Sequence, residues 1–155
     1  METTGKATSS PSKKVTSCTT PRGIRNNNPL NIRKGSNWYG ERHPQADPCF
    51  EEFESMELGI RAAFKLLRNY ITGFSGRSVK FNTIRKIVRR WAPPTENATQ
   101  RYIDFVCKTT GLDQNEVVWF SNRNQMVLIL RAMAFVECGQ WIDIDKFYTA
   151  YDMLL

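Results

Sequence analysis

Residues 22–33 read Arg22-Gly23-Ile24-Arg25-Asn26-Asn27-Asn28-Pro29-Leu30-Asn31-Ile32-Arg33. Three consecutive asparagines, a proline and a fourth asparagine are poor material for the interior of a helix or sheet. Asparagine side chains bond nearby backbone and tolerate left-handed conformations, while Pro29 fixes φ and removes a donor. Ile24, Leu30 and Ile32 recur as apolar anchors, with Arg22, Arg25 and Arg33 flanking them. Two readings stand: an ordered loop that the core holds and whose amides face a polar ligand, or a solvated turn before a first strand.

Upstream, residues 1–20 are Ser/Thr/Lys-rich, with Val15 as the one clear apolar residue after Met1. Such a segment cannot offset its ordering entropy and is expected to be a disordered tail. Downstream, Gly35 and Gly40 bracket Trp38-Tyr39, and Pro44 and Pro48 punctuate the stretch after them. The spacing predicts a small irregular β-hairpin or long loop from Ile32 to Phe53, with Phe50 and Phe53 turned inward.

Beyond it the apolar period becomes helical. Ser55 starts a helix to about Tyr70, with Ile60, Ala63, Phe64, Leu67 and Ile71 on one face and Gly73 and Gly76 ending it. Asn82 or Thr83 caps a second helix that stops at Trp91, before Pro93-Pro94. Asn97 or Thr99 caps a third, which buries Tyr102, Ile103 and Val106 and ends at Gly111. Asp113 caps a short fourth, Gln114 to about Phe120. A fifth runs from about Asn124 to near Gly139 and carries Met126, Val127, Leu130, Met133 and Ala134. A sixth runs from Asp145 to the carboxyl terminus. The expected fold is mainly α, about six helices with one small β-hairpin or loop lobe near the start. Residues 21–155 form a single domain with no internal repeat.

Charge is uneven within a net +7. Leu58 to Thr95 holds nine basic residues and no acid, whereas Trp38 to Glu57 holds six acids and Arg42 as its lysine/arginine base. The basic block suits nucleic acid or another polyanion, an anionic cell wall included, but no nucleic-acid motif accompanies it, and a solvated helix face is the commoner source. No run reaches the ~20 apolar residues of a membrane span. The amino terminus lacks an apolar signal core, so synthesis in the cytoplasm without Sec-type export is expected. Cys18, Cys49, Cys107 and Cys138 are far apart. That spacing speaks against a zinc site or disulfide framework and for reduced, mostly buried thiols.

His43 is the sole histidine; it reads as a loop base or, more simply, a surface residue. With one histidine and no nucleophile elbow, a serine or cysteine triad lacks a partner. Clustered metal ligands and phosphate loops are absent, so no metal or cofactor is expected. Carboxylate chemistry remains. Glu137 ends the most apolar helix, in Ala134-Phe135-Val136-Glu137-Cys138-Gly139. Apolar neighbours desolvate a carboxyl and raise its pKa, and a protonated carboxyl is what a glycosidic oxygen needs from a general acid. The plainer alternatives are a glutamate reaching solvent, or one paired with Arg131 or a loop arginine.

The helix end MAFVECG resembles the E-S-G signature of lytic transglycosylases, goose-type lysozymes and flagellar-type N-acetylglucosaminidases. In those families the glutamate is the catalytic acid. NNNPLNIRKGSNWYG and CFEEFESMELGIRAAFKLL are similar to successive glucosaminidase segments, and IVRRWAPPTENATQRYIDFV to the later segment whose helix closes the cleft. In the families the glutamate precedes the asparagine loop; here it follows, which implies a circularly permuted lysozyme-like domain. From Arg22 to about Gly139 the chain also resembles small phage and prophage proteins that open with R-G-I-R-N-N-N-P-G-N-I-R and are labelled virion structural proteins. Leu30 replaces a glycine of that motif, which bears on loop geometry. Cys138 replaces a serine or asparagine, which bears on activity.

The resemblance implies cleavage of the β-1,4 glycan of peptidoglycan by a phage- or prophage-associated enzyme, carried in the virion or released to the wall. Glu137 is then the acid, and Glu41 the best second carboxylate. Asn26, Asn27, Asn28 and Asn31 would position the N-acetyl group; Trp38, Tyr39 and Trp91 would stack on sugars, and Tyr102 would join them. Glu137 is accordingly expected beside the asparagine loop. The rival readings are a non-catalytic virion structural or wall-binding protein, with other virion proteins as partners, and a nucleic-acid module using residues 58–95.

Overall fold

The computed structural model describes residues 20–73, 79–92 and 95–155. Six helices are seen among them: α1 (Arg22–Arg25), α2 (Met56–Thr72), α3 (Ile84–Trp91), α4 (Glu96–Thr110), α5 (Arg123–Cys138) and α6 (Ile144–Asp152). The fold is mainly α, as expected. The tail of residues 1–19, Gly76 and the Pro93-Pro94 stop lie outside the described residues.

α5 is the hub. Apolar side chains at 126, 127, 129, 130, 132, 133 and 134 leave it little polar face, and all seven are buried. A helix apolar on most sides has to be covered on most sides. α4 and α6 pack along it and α1 sits on its carboxyl end, while α2 packs on α6 and α3 on α4.

The caps follow local chemistry. Ser55 Oγ accepts from Leu58 N, Thr83 Oγ1 from Lys86 N and Asn122 Oδ1 from Gln125 N. Such a cap contributes about 1 kcal/mol. Gly111 and Gly139 end α4 and α5 in the left-handed conformation, at φ 77° each. α4 starts at Glu96, after Thr95, earlier than the asparagine or threonine caps predicted for it.

The predicted fourth helix is not there. Asp113 does accept from Asn115 N, 2.9 Å, but this closes only a turn. The chain then runs extended, with Val118 N donating to Asn82 O at 2.9 Å and Val117 bridged to Thr83. Val117, Val118 and Trp119 are β-branched and aromatic residues that favour extended backbone, and burial of Val118 fixes the register.

Residues 32–53 form an irregular lobe rather than a hairpin of regular strands. Its antiparallel pairing is confined to the isolated bridges Arg33–Phe50 and Glu41–Phe53. Side chains replace the ladder. Glu52 Oε2 accepts from Ala46 N and Asp47 N, and Asp47 Oδ1 from Cys49 N and Phe50 N. Phe53 is fully buried, whereas Phe50 is half-buried under the guanidinium groups of Arg22 and Arg33. Of the described thiols only Cys138 is buried; Cys49 is exposed, contrary to expectation.

The asparagine loop meets α2 at a close contact. A Cβ on Gly59 of α2 would lie 1.7 Å from the carbonyl oxygen of Asn27. No side chain fits there, so glycine lets the asparagine loop lie directly on α2.

Candidate functional site: a half-buried glutamate at the end of the central helix

Glu137 continues the buried stripe of α5, one turn beyond Met133 and two beyond Leu130. The stripe would carry any side chain at 137 into the protein. α1 closes over this point: a Cβ on Gly23 would lie 3.2 Å from Cys138 Cβ and 3.0 Å from Asn28 O. The lack of a side chain at 23 therefore lets α1 come close to Cys138.

The carboxylate is held from two sides. Asn31, at φ 54°, directs its side-chain amide to Glu137 Oε1 at 3.4 Å and to the Glu137 carbonyl oxygen at 3.2 Å. The hydroxyl of Tyr102, on α4, donates to Oε2 at 3.1 Å. Burial pushes the Glu137 carboxyl above its ordinary range, and the bonds from Asn31 and Tyr102 oppose that in part. Burial, reinforced by the Glu137 charge, also holds the Tyr102 phenol well above its usual value, so its proton stays available to donate. Arg131 is no partner of Glu137; its Nε donates to Ile142 O at 2.7 Å and its guanidinium covers Trp141.

Two concavities adjoin this centre. Glu137 opens on a groove of about 580 Å³ between α4 and α5, walled by Arg101, Tyr102, Phe105, Phe135 and Val136. Asn31 lines a second cavity, of about 360 Å³, with Lys34, Trp38, Tyr70 and Trp91. Asn31 thus touches the acid and walls the neighbouring cavity at once.

No family model matches the chain. Over 122 residues the sequence is 40% identical to protein P5 of Pseudoalteromonas phage PM2, spanning 76% of this chain and 71% of the phage protein. The chain belongs to the family of that phage protein.

Within this family member the other sequence-predicted residues divide by what their polar atoms already bind. Asn26 and Asn28 are buried. Asn26 Nδ2 donates to Asp47 Oδ2, and Asn28 binds Ile32 N, Ile32 O and Glu51 O. Asn27 Nδ2 donates to Phe53 O. The expectation that these three amides face a ligand is corrected: they fasten the loop to the lobe, and Asn31 alone of the four reaches the acid. Tyr102 is likewise buried, with its hydroxyl turned onto Glu137 rather than presented to a substrate.

Trp38 and Trp91 wall the second cavity, Trp91 with Nε1 on Leu30 O at 3.4 Å. Trp38 Nε1 is buried with no partner. Tyr39 stands apart, exposed beneath the Arg61 guanidinium. Glu41, expected as the second carboxylate, is mostly buried. Its side chain is 11% accessible and accepts from Trp38 N at 2.7 Å, in a hollow shared with Lys34, His43 and Glu51. Glu41 and Glu137 line different cavities. His43 is exposed, its Nε2 4.0 Å from Glu41.

Leu30 is buried in the core at 1% exposure. The basic block splits. Arg85, Lys86, Arg89 and Arg90 are exposed on α3, whereas Arg61 and Arg68 are half-buried and cover the rings of Tyr39 and Phe120. Among the described residues no cluster of three histidine, cysteine or acidic side chains could hold a metal ion, and no helix is long and apolar enough to cross a membrane.

Sequence reading missed Arg101, Phe105 and Phe135. The first two are four apart on α4 and share a face. That face meets Phe135 only in three dimensions.

Proposed function

We propose that this chain is a glycan-cleaving protein of lysozyme-like type that cuts the β-1,4 strand of peptidoglycan, with Glu137 as the general acid. The observation that carries the reading is the single carboxylate on the groove between α4 and α5. It is raised in pKa by burial, oriented by Tyr102 and Asn31, and open to the groove. A carboxyl that keeps its proton near neutrality can pass it to a glycosidic oxygen as the bond to C1 breaks. Water, or the sugar's own 6-hydroxyl, then adds at C1 and gives its proton to the Glu137 carboxylate, which restores the acid. Asn31 links the acid to a cavity whose Trp38 and Trp91 suit sugar rings. Glu41 drops out as catalytic partner, and Glu137 acts alone.

The contact between Asn31 and Glu137 supports the permuted lysozyme-like arrangement, because it joins two motifs that the known families carry in the opposite order. The phage relative supports carriage of the activity in a virion. The deciding experiment incubates the purified protein with peptidoglycan and analyses the products by mass. Release of muropeptides by the wild type and none by Glu137→Gln is expected; the mass of the products separates hydrolysis from anhydro-sugar formation. If both proteins are inert on peptidoglycan from several sources, the non-catalytic virion structural or wall-binding reading replaces this one.

A further inference from the structure

The groove that Glu137 lines has a composition that a neutral sugar does not call for. Phe105 and Phe135 line it and belong to a cluster of near-parallel rings. Phe135 stacks on Phe105 at 5.4 Å between centroids and on Trp141 at 4.4 Å. Trp141 is 47% exposed at its edge, with the Arg131 guanidinium 5.0 Å over its ring, and it backs the groove without lining it. One turn before Phe105 on α4, Arg101 lines the same groove and is exposed. Arg101 makes no ion pair among the described residues, unlike Arg22, Arg42, Arg89 and Arg123, each of which holds a carboxylate. The groove's one acid is Glu137, whose carboxylate oxygens Asn31 and Tyr102 engage. A guanidinium with no ion pair among the described residues therefore lines one groove with Phe105, Phe135 and the proposed acid.

We infer that Arg101 is a specificity residue, whose guanidinium receives a carboxylate carried by the sugar next to the scissile bond while Phe105 and Phe135 take that sugar's apolar side. The inference rests on the glycan reading above and narrows its substrate class. Peptidoglycan carries a lactyl ether on alternate sugars, ending in a carboxyl or in a peptide with carboxylates of its own; chitin, with the same β-1,4 backbone, carries none. A planar guanidinium suits a carboxylate in two-point contact, whereas a lysine offers only a point charge.

The test is equilibrium binding at fixed ionic strength by calorimetry, in a Glu137→Gln background so that nothing is cleaved. Three probes of equal length are used: muramyl glycan fragments with stem peptides, the same fragments with the stems removed to leave free lactyl carboxyls, and neutral chitin oligosaccharides. Acidic fragments should bind about tenfold more tightly than chitin, the scale of one charge-assisted contact. Adding Arg101→Gln should bring that ratio close to one, and Arg101→Lys should restore only part of it, with each variant's folding verified by its circular dichroism and melting temperature. Tight binding with stems alone makes the stem carboxylates the ligand; equal tightness without stems makes it the lactyl carboxylate. A ratio that Arg101→Gln leaves unchanged, or no preference in the parent, overturns this inference and spares the glycan reading. Failure of every probe to bind overturns both.

Discussion

The side-chain amide of Asn31 lies 3.4 Å from Oε1 of Glu137, joining residues 106 positions apart in the chain. Neither residue would occupy its place without the other's neighbourhood. Asn31 adopts a positive φ because Asn28 beside it is locked to Ile32 and Glu51, and Glu137 meets it because Gly23 lets α1 settle on Cys138. The asparagine loop therefore acts as a clamp on the end of α5, and three of its four asparagines serve the clamp rather than a ligand.

Tyr102→Phe isolates the positioning of the acid. The ring and its packing remain, and one hydroxyl bond to Oε2 disappears. That bond lowers the Glu137 pKa, so its loss should move the high-pH limb of the rate profile further toward alkaline pH. Turnover should fall because one carboxylate oxygen is left unrestrained, while stability changes by about 1 kcal/mol or less. An unmoved limb in the pH–rate profile would show that the hydroxyl does not act through Glu137.

Gly59→Ala tests the seat of the loop. The added Cβ would sit 1.7 Å from Asn27 O, both of them backbone-fixed atoms, so the loop or α2 must shift. The expected cost is about 3 kcal/mol, at the upper end for overpacking. That corresponds to a fall of roughly 10 °C in melting temperature for a domain of this size. Gly35→Ala meets no neighbouring atom but puts alanine at φ 147°, so its smaller loss in the same melt should come from backbone strain and not from a clash.

How much of this was legible in the sequence depends on the range of the interaction that decides it. Ser55, Thr83, Gly111 and Gly139 bind atoms within a turn of themselves, and local reading placed all four at helix ends. Glu137 was legible because the stripe of α5 is continuous from Met126 to Ala134 and points to 137. The fourth helix failed because Asp113 closes a turn as readily as it caps a helix, and what decided was the pairing of Val118 with Asn82, 36 residues earlier. Asn26, Asn27 and Asn28 looked like ligand groups because their partners, Asp47, Glu51 and Phe53, lie beyond any local window. The stacked pair Phe105 and Phe135 was invisible for the same reason: the two rings belong to different helices.

The lobe should fail first in acid. Asp47 accepts from Arg22, Asn26, Cys49 N and Phe50 N, and the Arg22 bond is the largest cause holding its pKa well below the carboxylate range. A depressed carboxylate adds stability above its unfolded pKa of about 3.9 and loses it as pH falls below that value. Asp47→Asn should lower the melting temperature at neutral pH and flatten its decline between about pH 4 and pH 2, the region just below that unfolded value. An acid decline of undiminished size in Asp47→Asn would locate the sensitivity in another carboxylate.

Glu137 titrates in the opposite sense, and this separates function from packing. Its folded pKa is raised, so between the ordinary glutamate range and that raised value the folded protein holds a proton that the unfolded chain releases. Stability should therefore fall as pH rises through that window, and the cleavage rate should fall through the same window as the acid ionises. Glu137→Gln keeps the shape and an acceptor for Tyr102 without the charge. It should abolish the stability decline, leave the melting temperature at neutral pH equal or higher, and lower the rate at least about 100-fold. Glu41→Gln keeps an acceptor for Trp38 N and should leave the high-pH limb in place. The pH dependence of the melting temperature needs no substrate, so it checks the buried acid even where cleavage is slow. If the two declines share one pKa and both vanish in Glu137→Gln, one carboxyl accounts for both. If the rate limb survives the substitution, another group supplies the proton.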